Sequence, residues 1–363
     1  MIVLAEAVRG STSKAGAMKR SEFLRAGAVL GLSALLPRSA RASTRVLDFV
    51  QWSDVHWGSD EDAPDAWREA LTRGLAEKSP LVVFTGDHGD NGNGQGDFAE
   101  RTRGFWGTAR DRLADKPLVL TLGNADFREN YQTNPSNLAE TQKLYQEIWG
   151  DRYYLDALGN GCQRLEGLDW ISLNTQIFSY KNRYEKADEQ AQTSLDWLAQ
   201  RLRQAPNGCV LLLHIPPTVD LFNGLQAWRK QSLEKFWSVL MAYDGAATIL
   251  GGHFHRNEVH AFKRPQGEVC VLIASSLSRK YEYSPNWRSN HWTLDANGRL
   301  LRADYDLLYP GHPDYRAHYK LERPQDFLTQ VDRTAYLNDL FAHHPQIKDR
   351  WKELTEQFWI QST

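Results

Sequence analysis

Five apolar runs along the chain each end abruptly in a cluster of Asp, Asn or His, and this recurrence restricts the fold more than any other feature. The clearest is Leu81-Val82-Val83-Phe84-Thr85-Gly86-Asp87-His88. A short β-branched and aliphatic run closing in Gly-Asp predicts a buried strand that delivers a carboxylate at its C-terminal tip. In open α/β sheets that tip is where ligands collect. The other four clusters are Asp54-Val55-His56 after the run 46–52, Gly123-Asn124-Ala125-Asp126 after 118–122, His214 after 209–213, and His253-Phe254-His255 after 247–250. A lone strand-end histidine is more often hydrogen-bonded structure than a ligand, so the inference rests on the set of five. Together they offer the donors of a dinuclear hydrolytic metal centre around Asp87. A carboxylate shared by two divalent ions roughly 3.5–4 Å apart clamps a phosphoryl group in line. Imidazole with carboxylate suits Zn, Mn or Fe better than Ca.

A chain of 363 residues, 41% hydrophobic, can bury one large α/β core with an appendage, or two domains. The net charge of -2, with no sustained Lys/Arg run beyond the N-terminus, argues against a nucleic-acid duplex as partner. Thirteen tryptophans are expected mainly in the core. Three cysteines give neither a disulfide framework nor a zinc motif. Cys209 and Cys270 lie in apolar runs and are expected as small core residues.

The N-terminus has the layout of an export signal over residues 1–42: basic Met18-Lys19-Arg20, an apolar stretch 26–36, and the small-x-small site Ala40-Arg41-Ala42. Met18 is an alternative start. The stretch from Lys19 to Arg25 is similar to a twin-arginine signal with Ser21 in place of the second arginine. A periplasmic or secreted location follows as an expectation, and no run reaches the length of a transmembrane span.

Helices are predicted over 64–78, 98–113, 137–149, 191–203 and 228–243, with strands near 153–155, 163–165, 170–173, 269–273, 291–294 and 300–308, the last of them antiparallel. Asp54 and His56, two apart as the chain leaves a strand, are expected to share one side. The Gly- and Asn-rich loop 89–96 should line or cover the site. Trp57, Tyr281 and Tyr283 could stack on a substrate, with packing the alternative for Trp57. Beyond Pro310 the composition shifts to polar helix formers with spaced aromatics, read as a small C-terminal helical subdomain, 311–363.

Asp54-x-His56, Gly86-Asp87-x-x-Asp90, Gly123-Asn124-x-Asp126, His214 and Gly252-His253-x-His255, in this order within a domain at 45–310, resemble the calcineurin-like metallophosphoesterases. Leu173-Asn174-Thr175, Leu195-x-Trp197-Leu198, His214-Ile215-Pro216-Pro217 and the stretch from Ser275-Ser276 to Asn286-Trp287-Arg288 are similar to the acid sphingomyelinase-like phosphodiesterase branch. The resemblance implies an α/β fold, a two-sheet β-sandwich flanked by helices (metallophosphatase-like fold). It further implies two divalent metal ions, one on Asp54, His56, Asp87 and His255, the other on Asp87, Asn124, His214 and His253. The implied reaction is hydrolysis of a small-molecule phosphoester by a metal-bound hydroxide, without a covalent enzyme intermediate.

One position departs from the pattern: Ala125 stands where the resemblance implies a histidine that protonates the leaving oxygen or stabilises the transition state, oriented by the following carboxylate, here Asp126. Loss of a general acid costs ~10²–10⁴ in rate, most for a lipid alkoxide and least for a leaving group that needs little proton help. Nucleotide-like or other phosphodiester and phosphoanhydride substrates are therefore expected rather than sphingomyelin. His88, beside Asp87, is a candidate replacement acid, or else hydrogen-bonded in a turn; Asp126 is the second candidate catalytic residue. Two rivals remain open. One is a catalytically weak metal- and phospholigand-binding pseudo-enzyme, which Ala125 favours. The other is a phosphomonoesterase of the purple-phosphatase kind, for which no metal-bound tyrosine is evident. Oligomeric state is not legible.

Overall fold

Period-two alternation along single strands sorts the chain into layers. The computed structural model describes residues 44–58, 63–77, 79, 81–89, 97–220, 225–278 and 285–322. The expected export signal, the loop 90–96 with Asp90, Tyr281 and Tyr283, and the tail from 323 lie outside the described residues. Six strands, β1 (Arg45–Trp52), β2 (Leu81–Phe84), β3 (Leu118–Leu120), β10 (Trp287–Leu294), β11 (Leu300–Tyr309) and β12 (His312–Glu322), form one sheet in the order β12-β11-β10-β1-β2-β3. The other six, β4 (Gly161–Leu165), β5 (Leu168–Leu173), β6 (Cys209–Leu213), β7 (Ala247–Gly251), β8 (Glu258–Arg264) and β9 (Gly267–Ile273), form a second in the order β4-β5-β6-β7-β9-β8.

Parallel pairing of β1 with β2 and β2 with β3, and of β5, β6, β7 and β9 in succession, makes the centre of each sheet parallel. In β2, Leu81 and Val83 join the cluster shared with Val210 and Leu212 of β6, while Val82 and Phe84 join another cluster. The shared cluster, with Phe49, Trp170, Leu250 and Trp292, is the core between the sheets. The opposite face of the first sheet packs on α1 (Ala63–Ala76), α2 (Phe98–Ala109) and α3 (Pro135–Trp149) through Trp67, Leu71, Phe105, Trp106 and Leu138. The opposite face of the second packs on α4 (Ala187–Arg203) and α5 (Lys230–Met241) through Leu195, Leu198, Leu202 and Phe236. The result is the two-sheet sandwich flanked by helices that the family resemblance implies.

Local chemistry sets the helix ends. The Asp97 carboxylate accepts from the Ala99 N–H at 2.8 Å and opens α2, and Asn134 accepts from the Asn137 N–H at 2.9 Å, with Pro135 in the first turn of α3. Helix α2 stops at Ala109 rather than 113, since residues 110–115 form turns. The expected helical subdomain from 311 begins instead as a strand. His312–Glu322 pairs antiparallel with β11, because 316–321 continue an alternation in which Ala317, Tyr319 and Leu321 face the core. The remainder of that segment lies outside the described residues.

Six tryptophans, among them Trp52, Trp106 and Trp292, are buried essentially completely, as are Cys209 and Cys270. No helix among the described residues is long and apolar enough to cross a membrane.

Phe49 stands edge-on to Trp170 (5.7 Å) and Trp292 (4.8 Å), one ring from each sheet. Phe49→Ala is expected to lower the unfolding free energy by about 3–5 kcal/mol, measurable by urea titration. A loss below about 1 kcal/mol would mean the sheets are not held together there.

Candidate metal centre

The five clusters leave the tips of β1, β2, β3, β6 and β7, and the backbone there is unusual. Among the described residues, seven other than glycine have positive φ, and five of them are expected ligands: Asp54 (50°), His56 (48°), Asp87 (56°), His253 (71°) and His255 (58°). L-residues resist this region by about 1–2 kcal/mol each, and such strain concentrates where surrounding structure over-determines the chain. Asp54 and His56 therefore reach one place through two left-handed residues, not through the strand alternation expected from their spacing. Hydrogen bonds hold this path beside the β2 tip: Asp54 N–H to Gly86 O (2.9 Å), His56 N–H to Asp87 O (3.1 Å) and Trp57 N–H to His88 O (2.8 Å). Glycine is obligatory at two close approaches. A Cβ on Gly123 would collide with the Asp87 carboxylate, and one on Gly252 with Ser53 Oγ and Asp54.

All seven expected ligands converge, in two groups. Asp54, His56 and His255 form one, and Asp87, His214 and His253 the other, each with potential donor atoms within 4.8 Å of one another. In the first, His255 Nε2 lies 3.3 Å from Asp54 Oδ1 and 3.0 Å from His56 Nε2. In the second, His214 Nε2 lies 3.2 Å from Asp87 Oδ2 and 3.3 Å from Asn124 Oδ1. Asp87 Oδ2 is also 3.7 Å from His56 Nε2, so this one oxygen stands between the groups. The His214 Nδ1 lies 2.7 Å from Thr85 O, and donating there leaves Nε2 with its lone pair toward the centre.

The electrostatics call for a cation. Asp54 and Asp87 are buried, and among the described residues only histidines, no Lys or Arg, form ion pairs with them. Buried carboxylates without such partners are costly unless a positive charge joins them. Burial opposes the charge on Asp54, but His255, His214 and His56 together hold its carboxyl well below the usual range. Burial raises Asp87, His214 only partly offsets this, and Asp54 and Asp126 reinforce it. For His214, burial is outweighed by Asp87 and Asp54, and the imidazole is pushed up to about 9. Burial, then the neighbouring His214, keeps the half-buried His253 neutral. Neutral nitrogen and anionic oxygen donors around Asp87 fit two ions of the Zn, Mn or Fe kind.

The two candidate catalytic residues are both buried and held by hydrogen bonds beside the centre. Asp126 is fully buried and its carboxylate is saturated by backbone: Oδ2 accepts from the N–H of Asp87 (2.9 Å) and Gly123 (2.7 Å), Oδ1 from that of His88 (2.9 Å). It ties the β2 tip to the β3 tip and is a positioning residue. His88 lies just before the Gly-rich loop in sequence. Its ring turns inward among Phe84, Phe105 and Trp106, with Nδ1 against the Asp126 carboxylate and 2.7 Å from Tyr145 Oη. Burial and the charge of Asp126 raise the Tyr145 phenol well above its usual value, so it stays a neutral partner. Phe84, Phe105 and Trp106 around His88 belong to a core cluster, and apolar spacing alone does not mark them as a histidine's surroundings. Ala125 is buried beside the centre, and its N–H donates to Asp87 Oδ1 at 2.6 Å.

Several supporting groups have no role assigned by the sequence, although Thr175 and Ser276 fall within the stretches that carry the branch resemblance. Ser53 Oγ bonds the Asp54 carboxylate, the His253 N–H donates to both Asp54 oxygens (3.1 and 3.0 Å), and Ser276 Oγ donates to Asp54 O at 2.6 Å. Thr175 Oγ1 accepts from the Ile215 N–H at 2.9 Å, just after His214. No spacing signal marks hydroxyls of this kind. Trp57 packs edge-on to Phe105 at 6.1 Å.

Comparison with known proteins agrees with this geometry. The family described as Calcineurin-like phosphoesterase matches residues 47–257, more than half of the chain. A curated relative, Sphingomyelinase phosphodiesterase D from Dictyostelium discoideum, is 26% identical over 241 residues, covering 61% of this chain and 54% of the relative. The chain thus spans about half the length of the curated relative it matches. A solved dimetal phosphatase from Danio rerio shares the fold with a TM-score of 0.52 at 14% identity, covering 76% of this chain and 98% of that one.

Asp126→Ala leaves three buried N–H groups without their acceptor, so it should cost at least about 3 kcal/mol in urea unfolding of chelator-treated protein. Asp126→Asn, whose amide nitrogen cannot accept, should recover only part. A loss under about 1 kcal/mol for Asp126→Ala would remove Asp126 from this positioning role.

Proposed function

The chain belongs to the calcineurin-like phosphoesterase family, and on that premise we propose that it is an exported, dinuclear-metal-dependent phosphodiesterase acting on small substrates with good leaving groups. The observation that carries this is Asp87 Oδ2, 3.2 Å from His214 Nε2 in one donor group and 3.7 Å from His56 Nε2 in the other. Asp54, His56, His255 and Asp87 would hold one ion, and Asp87, Asn124, His214 and His253 the second. When bound, the ions supply Lewis acidity toward the phosphoryl group and lower the pKa of water. The residues of the chain do the rest. Thr85 O orients His214, the Ala125 N–H anchors one Asp87 oxygen while the other faces both groups, and Asp126 holds the loops that carry them. Neutral His and Asn donors limit the negative charge that an anionic ester must meet.

Leaving-group choice follows from the proton inventory. Ala125 carries no proton to give, His88 faces the core, and the Asp126 oxygens are engaged by backbone. A phenol or phosphate leaves with little proton help; an alkoxide does not. The Dictyostelium relative's name, sphingomyelinase phosphodiesterase, supports a diester, while the missing acid argues against a lipid alcohol as leaving group. The same alanine favours a second reading, a weakly active phospholigand-binding protein. Export rests on the pattern of residues 1–42.

Elemental analysis of Mn- or Zn-loaded protein should show two ions per chain, and Asp87→Ala should lower both metal content and turnover of bis-p-nitrophenyl phosphate by about 10² or more. Methyl p-nitrophenyl phosphate, with one activated leaving group, should be cleaved at the phenol side, and dimethyl phosphate should not be cleaved measurably. Ala125→His should accelerate poor-leaving-group diesters by about 10² and activated ones far less. Two ions bound with no turnover of any ester, before or after that substitution, would favour the binding-protein reading; faster turnover of p-nitrophenyl phosphate than of the diesters would favour a monoesterase.

A further inference from the structure

Beside the half-buried His253 stands a pair of side chains outside the donor groups. Tyr131 is one of the seven non-glycine residues with positive φ, at 64°. It occupies the third position of a turn closed by the Gln132 N–H to Glu129 O at 3.0 Å, a position at which positive φ calls for Gly or Asn. Glu166, the other such residue outside the metal centre, sits with Gly167 in the tight connection between β4 and β5, where positive φ at both positions is the norm for a hairpin. Tyr131 has no hairpin to account for it. Its strained backbone aims the ring edge-on at His253, with centroids 6.2 Å apart.

Over the same ring lies Lys181, its Nζ 4.6 Å from the centroid and 3.4 Å from Tyr131 Oη. Lys181 is exposed, and among the described residues no carboxylate pairs with it. Its neighbours are tied down. Gln132 Nε2 donates to Lys181 O at 3.3 Å, and Gln132 Oε1 accepts from the Arg183 N–H at 3.1 Å. Asn182 Nδ2 donates to Thr133 Oγ1 at 2.7 Å and to Gln176 O at 3.3 Å. Two loops that follow strand tips are thus laced into one wall, with an ammonium that has no carboxylate partner among the described residues held by an aromatic face.

We propose that Lys181, seated on Tyr131, is a specificity-determining residue that receives a second phosphate of the substrate, one step removed from the phosphorus under attack. An ammonium offers three donors and a full charge to a phosphate without demanding planar geometry, which suits the outer group of a phosphoanhydride. Tyr131 fixes the height and direction of that charge, and the edge of its ring borders the His253 side of the centre. The inference rests on the phosphoesterase reading for the inner phosphate and adds the recognition of the outer one.

The test uses the full, metal-loaded chain and calorimetric titration with two probes, inorganic phosphate and methylenediphosphonate, at saturating Mn. Lys181→Met should weaken methylenediphosphonate about tenfold and phosphate by less than threefold, whereas Lys181→Arg should keep most of the preference. Lys186→Met, a nearby exposed control, should leave the ratio of the two affinities unchanged. Tyr131→Gly, which removes a ring packed against the core, should lose the diphosphonate preference while keeping the affinity for phosphate; a purely structural tyrosine would leave the preference intact. Equal effects of Lys181→Met on both probes, or none on either, would overturn the proposal. The two readings fail separately: a Lys181-dependent preference in a protein that turns over no ester sinks the esterase and keeps the subsite, while turnover with no Lys181 dependence does the reverse.

Discussion

The centre depends on a backbone conformation that its own residues resist. Asp54, His56, Asp87, His253 and His255 all sit at positive φ, and none would adopt it in isolation. What holds them is a set of hydrogen bonds that leaves the tips no alternative. The Asp126 carboxylate takes three N–H groups from the β2 and β3 tips. The Asp54 carboxylate takes the His253 N–H, and Ser276 takes the Asp54 carbonyl. Removing any of these frees a residue to relax toward an ordinary conformation and carries its side chain away from the centre.

That constraint depends in turn on the sandwich. The core between the sheets, with Phe49, Trp170 and Trp292 in contact, sets the separation at which β1 and β2 meet β6 and β7. Gln51 of β1 reaches across to Gly251 O at 3.3 Å, and Arg288 of β10 reaches Ile273 O at 2.6 Å and Asn257 Oδ1 at 2.9 Å. These polar crossings lie close to the tips in sequence, Gly251 two residues before His253 and Asn257 two after His255. Packing fixes the distance between the sheets, and directional bonds fix the alignment.

Much of this is legible in the sequence because strands advertise themselves. Apolar runs such as 209–213 and 247–250 end where the sheet ends, and the residue types at the ends name the donors. The seven expected ligands all arrive. The environments of His88 and Asp126 are less legible: a residue next to a left-handed position can turn either way, and here both side chains turn inward. Likewise 312–322 is polar enough to pass for helix, and only pairing with β11 shows its alternation. Tyr131 and Lys181 leave no mark at all, since a strained φ and a lysine lying over a ring belong to tertiary structure.

Each donor group draws on both sheets: Asp54 and His56 come from the first and His255 from the second, Asp87 and Asn124 from the first and His214 and His253 from the second. His56 and His255 are 199 positions apart along the chain yet 3.0 Å apart in space. Contacts of such separation form only after long loops have closed. A chain with one sheet assembled therefore owns half of each group and a closed pocket for neither. The donor groups are thus all-or-none: a fragment or a half-folded chain holds no reduced version of the site, only its separated halves.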